Sequence, residues 1–167
     1  MTKNTYTVEQ ITAARHDESI ALEVMALCQH LDCCPEDLNP LEHDHYGLTR
    51  YEYGQQEYAI GTDEQVDKAC VEYCRDSVWA FKASFILEEC GLPGELEDAI
   101  QAFQEDKCES ANDALLALVE KCCKDGIDEF TQSAISADGR GHFLSGYDGN
   151  ENDEKAVDTR FYIYRLN

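Results

Sequence analysis

Positive charge is what this chain has least of. Its 167 residues carry 13 Lys and Arg against 35 Asp and Glu, a formal net charge of -22. A field of that sign repels phosphate backbones, so direct nucleic-acid binding is disfavoured. Long apolar runs are missing as well. No stretch approaches the roughly 18 residues of a membrane span, and the opening MTKNTYTVEQ lacks the apolar core of a secretory signal. The expectation is therefore a cytoplasmic protein with no membrane association. A P-loop, a dinucleotide fingerprint and a nucleophile elbow are all absent, which removes the main motif-level pointers to an enzyme. No internal repeat, low-complexity linker or composition break divides the chain, so a single domain over 1–167 is expected.

What is present is enough for a core. Apolar residues make up 43%, including nine Tyr and six Phe, so the acidity decorates a folded protein and not a disordered tail. The nine cysteines are an odd number without an export signal, and several fall in helical patterns. They read as mostly reduced, buried thiols packing as small hydrophobes. Halophilic adaptation, a competing origin for the charge, would normally come with few cysteines.

Helical spacing of Ile20, Val24, Leu27 and Leu31 predicts a helix from Asp17 to Leu31, with a short helix around Val8 to Arg15 before it. Cys33 to Gly47 reads as a loop with one turn at Pro35 to Leu38. Tyr51, Tyr53, Tyr58 and Ile60 predict a strand or bulged ribbon ended by Gly61. Thr62 and Gln65 have the capping-box form and open a helix to about Ser77. Val78 to Leu87 is the densest aromatic segment, stopped by Gly91 and Pro93, and marks the expected centre of the core. Glu95 to Asp106 puts Leu96, Ile100 and Phe103 on one stripe, and the helix opening at Ser110 to Asp113 is expected to pair with it antiparallel. Towards the C-terminus, Asp138 to Gly141 reads as a turn, His142 to Tyr147 as a strand, Asp148 to Asp158 as a polar loop and Arg160 to Leu166 as a strand. The fold class is α+β: four or five helices on a small, mainly antiparallel sheet with a C-terminal β-hairpin.

Negative charge is densest over residues 61–126, with 16 acids against 6 bases. Duplex DNA presents about one charge per 1.7 Å of axis, and a protein imitating it needs carboxylates arrayed on rigid elements with few bases between them. Glu88, Glu89, Glu95, Glu97, Asp98, Glu105, Asp106, Glu109 and Asp113 meet that description, with only Lys107 intervening. The competing reading is a solvated helix face, although solvation needs a net charge of only about 2 to 8 in magnitude.

Three other constellations carry residue types suited to chemistry. Cys28, His30, Cys33 and Cys34 with Glu42, His43, Asp44 and His45 supply zinc-type ligands but lack a paired Cys-x-x-Cys knuckle, so no metal is assigned. Asp148 to Asp153 resembles a calcium-loop opening, but the sixth position lacks Gly and the twelfth lacks Glu. Asp138, Arg140, His142, Tyr147, Asp148 and Glu151 form the one compact polar set that an enzyme or ligand-binding domain would use.

Asp138-Gly-Arg-Gly-His-Phe-Leu-Ser-Gly-Tyr-Asp-Gly with the terminal Phe-Tyr-Ile-Tyr-Arg-Leu-Asn, and Gly61-Thr-Asp-Glu through Ser77-Val-Trp-Ala-Phe, resemble small acidic proteins encoded by tailed phages and prophages. The resemblance covers residues 57–91 and 138–167. It brings no established activity and no catalytic residues. It implies a context in which such proteins inhibit host nucleases or transcription machinery. The expected function is a non-enzymatic, cofactor-free DNA mimic acting in the host cytoplasm. Its partner would be a defence nuclease or other basic DNA-binding protein. The alternatives are a small enzyme or ligand-binding domain using Asp138, Arg140, His142 and Asp148, and a protein-interaction module unrelated to DNA.

Overall fold

Tyr51, Tyr58, Phe161 and Ile163 all lie in β-prone runs and turn the same way, and they build one face of a five-stranded sheet. The computed structural model describes residues 7, 9–11 and 18–167. They gather into two compact units. The first comprises the described residues up to Ala69 together with Arg140–Asn167, and the second is Cys70–Gly139.

In the first unit, helix α1 (Glu18–Leu31) lies on a sheet of β1 (Asn39–Pro40), β2 (Thr49–Tyr53), β3 (Gln56–Thr62), β4 (Asn152–Ala156) and β5 (Thr159–Arg165). The spatial order is β1-β2-β3-β5-β4, antiparallel throughout. Register places Tyr51 opposite Tyr58, and Ile60 opposite Ile163. Ala21, Val24 and Leu27 of α1 close over that face. Of the helix expected at Val8 to Arg15, only Glu9–Ile11 is described; those residues are helical and Ile11 is buried. The rest lies outside the described residues, as does the side chain of Ile20.

The sheet differs from expectation at four points. Tyr51 to Ile60 is a hairpin: Gly54 and Gln55 of the Gly-Gln-Gln interruption are its two-residue turn, with Gly54 at φ 65°, Gln56 already begins β3, and Gly61 lies inside that strand. The loop after Cys33 contributes the short edge strand β1. The supposed polar loop Asp148 to Asp158 contains β4, an edge strand of mostly polar residues that its low β-propensity concealed. The strand expected at His142 to Tyr147 is instead helix α7 (Arg140–Leu144), where Phe143 and Leu144 are buried in succession without strand alternation. Gly141 is needed there, because a Cβ would stand 2.3 Å from the carbonyl oxygen of Gly149. The C-terminal hairpin is accordingly β4–β5.

Helix α2 (Asp63–Ser77) starts in the first unit and continues into the second. The Gln65 half of the expected capping box is present, since the Thr62 backbone N–H donates to Gln65 Oε1 at 2.8 Å. The second unit continues with α3 (Ala83–Glu89), α4 (Glu97–Lys107), α5 (Asn112–Cys122) and α6 (Ile127–Asp138). Phe81, Phe85 and Phe130 make mutual ring contacts at 5.0–5.7 Å in its core. Helix α4 packs on α3 and not in the expected pair with α5. At the junction Cys108 adopts φ 49° and a 3-10 turn, Cys108–Ala111, intervenes. Ser110 does not cap α5, because its hydroxyl donates back to the Lys107 carbonyl.

Candidate functional site

All nine acids read as a binding surface belong to the second unit. Glu88 and Glu89 end α3, Glu95 lies in the 3-10 turn Gly94–Leu96, and Glu97, Asp98, Glu105 and Asp106 are on α4. Glu109 follows in the next turn and Asp113 opens α5. Eight are exposed and Glu89 is half-buried. The frame that presents them is polar but well tied. Gln104 of α4 turns inward and donates to the carbonyls of Trp79 and Phe81, both at 2.8 Å. Asn112 of α5 accepts from the Trp79 N–H at 3.2 Å and donates to the Arg75 carbonyl at 2.8 Å.

The acids themselves are poorly compensated. Among the described residues the nine have one ion pair, Asp106 with Lys107 at 2.8 Å. Helix dipoles make the pattern sharper. Glu97, Asp98 and Asp113 lie in first turns, where a carboxylate is favoured. Glu88, Glu89, Glu105 and Asp106 stand at helix C-terminal ends, where each costs roughly 0.3–1 kcal/mol. Stability alone would place cations there.

The polar set near the C-terminus is differently arranged. Arg140 Nη1 donates to Asp63 at 2.8 Å and Asp67 at 3.0 Å, while Nε and Nη2 bind both oxygens of Glu151 at 2.8 and 3.0 Å. Its guanidinium lies 4.3 Å from the Tyr162 ring centroid, and Glu151 also accepts from the Tyr164 hydroxyl. Burial opposes the Arg140 charge, but these carboxylates more than restore it; in turn Arg140 holds the Asp63 carboxyl below its ordinary range. Four of the five guanidinium N–H groups are thus directed at residues of the fold. His142 is exposed, and Asp148 is held low by the Asn150 backbone N–H and the Ser145 hydroxyl. Asp138 ends α6 in the other unit. Arg140 is a cross-strut within the first unit, and sequence reasoning missed its partners Asp63 and Asp67.

The cysteines are all free. Burial raises the thiol of Cys74 to about 11 and that of Cys90 to about 12, and it also pushes Cys28 and Cys33 up. Cys28 and Cys33 meet because Asp32, at φ 53°, closes α1 so that the Cys33 N–H reaches the Cys28 carbonyl at 3.2 Å. His45 Nε2 donates to the Leu144 carbonyl at 3.0 Å. Among the described residues, no three His, Cys, Asp or Glu side chains gather as metal ligands. No helix of the described residues is long and apolar enough to cross a membrane. No protein-family model, curated protein or solved structure matches the chain.

Proposed function

We propose that this is a non-enzymatic acidic binding protein of phage or mobile-element origin. It imitates DNA and occupies the nucleic-acid channel of a host defence nuclease or another basic DNA-binding protein. The observation that carries the reading is the placing of Glu88, Glu89, Glu105 and Asp106 at helix ends that disfavour them, with one cation among them. The second unit as a whole holds 16 acids against 5 bases, a surplus of -11 on 70 residues. Magnitudes limit what one helix does. Four acids and one Lys along α4, about 16 Å, give one net charge per about 5 Å, some threefold sparser than duplex DNA. Glu88, Glu89, Glu95, Glu109 and Asp113 on the flanking elements are therefore part of the imitation.

The test starts from the partner captured from a host lysate. Its affinity should fall steeply between about 0.05 and 0.2 M salt, and duplex DNA should compete for it. Glu97→Lys with Asp98→Lys should remove much of the affinity; both side chains are exposed, so the melting temperature should fall only by the few degrees that losing two first-turn carboxylates costs. A partner that binds DNA and this protein together, with little salt dependence, would sink the reading.

A further inference from the structure

Four large apolar side chains are exposed among the described residues, and two of them lie on α4 and the turn that opens it: Leu96 at 43% and Phe103 at 36%. They are seven residues apart, two helical turns or about 10.5 Å. Ala99, also exposed, falls between them on the same line, and Asp106 continues it. Gln104 fixes which way the helix faces, because its bonds to Trp79 and Phe81 turn that side inward. No residue of α4 is buried. The helix thus shows a short apolar seam of Leu96, Ala99 and Phe103 beside the carboxylates of Glu95 and Asp106, four residues before Ala99 and three after Phe103.

We infer that this seam docks a basic amphipathic helix of the partner protein, one with apolar residues at i, i+3 or i+4 and i+7 and flanking Lys or Arg. Charge selects the occupant. A second copy would bring another -22 against this face, and an anionic lipid surface is repelled for the same reason. A basic helix gains on both counts, since acids steer it and the seam gives it something to bury. The inference rests on the acidic face being a binding surface, but not on imitation of DNA.

Two fourteen-residue Leu/Lys peptides of equal composition serve as probes, one with Leu at helical spacing and one with strict alternation. In about 0.15 M salt the patterned peptide should bind one-to-one and the alternating one at least tenfold more weakly. Phe103→Gln should weaken the patterned peptide about tenfold and leave the alternating one unchanged. Ala99→Gln, at an exposed helical position where folding is not at risk, should do the same by blocking close approach. Equal binding of both peptides, or patterned binding indifferent to both substitutions, overturns the seam even if duplex DNA competes for the captured partner. Failure of that DNA competition strikes the imitation reading alone and leaves the peptide result supporting the seam.

Discussion

Arg140 turns its charge inward, and that decides what the residue is for. Its side chain is 13% exposed, against 29% for Glu151, 46% for Asp67 and 68% for Asp63. Removing one member of a fully buried ion pair costs about 3–5 kcal/mol, and partly exposed partners reduce this. Arg140→Ala should therefore lose about 2 kcal/mol by chemical denaturation, and Arg140→Lys less, since it keeps the charge but not the fork. An Arg140→Ala protein of unchanged stability would refute the strut. Asp63 sets the sign of the pH dependence. Its carboxyl is lower in the folded state, so its contribution is present above the unfolded value of about 4 and is lost as pH falls through the lower folded one. None of this was legible from residues 138–151 alone, because two of the partners lie 77 and 73 residues away in the chain. The nine acids were legible because exposed charge needs no tertiary partner to be recognised.

Elements with a strong local signal matched their sequence: α1 through its apolar spacing, α2 through its capping pair, and the Phe81–Phe85 segment through aromatic density. Helix α6 has its signal in Ile127, Phe130 and Ala134, which recur at helical spacing between the Gly126 stop and the Asp138 turn, a stretch to which the sequence reading assigns no element. Strand β4 had almost none, since Asn152 to Lys155 form strand only because β5 offers its edge. Its hairpin carries a cost that the sequence also hides. Val157, the first residue of the two-residue turn, adopts φ 57°, a left-handed conformation that strains a β-branched side chain, and it is 60% exposed with little packing to lose. Val157→Gly should therefore raise stability by about 1 kcal/mol, the left-handed penalty less the entropy glycine adds to the unfolded chain. A loss of stability on thermal or urea unfolding would mean that the side chain packs better than its exposure indicates.

At the scale of the whole molecule the charge is a load that each unit carries separately. The second unit has a surplus of -11, and the remaining 19 acids and 8 bases give the first the same -11 on 97 residues. Two electrostatic effects then oppose one another as salt rises. Screening weakens the attractive pairs, of which Arg140–Glu151 and Arg50–Glu57 are the least exposed among the described residues, and it also weakens repulsion among the uncompensated acids. The second effect should win, because surface pairs contribute about 0–1 kcal/mol each and the Arg140–Glu151 pair, the least exposed of them, is screened least. Raising NaCl from about 0.01 to 0.1 M shortens the Debye length from about 30 to 10 Å, so repulsion between acids on different elements is removed first. The melting temperature should climb by several degrees over that range and then flatten, with KCl giving the same curve. A melting temperature that stays level or falls would mean that the surplus is locally balanced within each unit. The acidic face would then carry no stored repulsion for a basic partner to relieve.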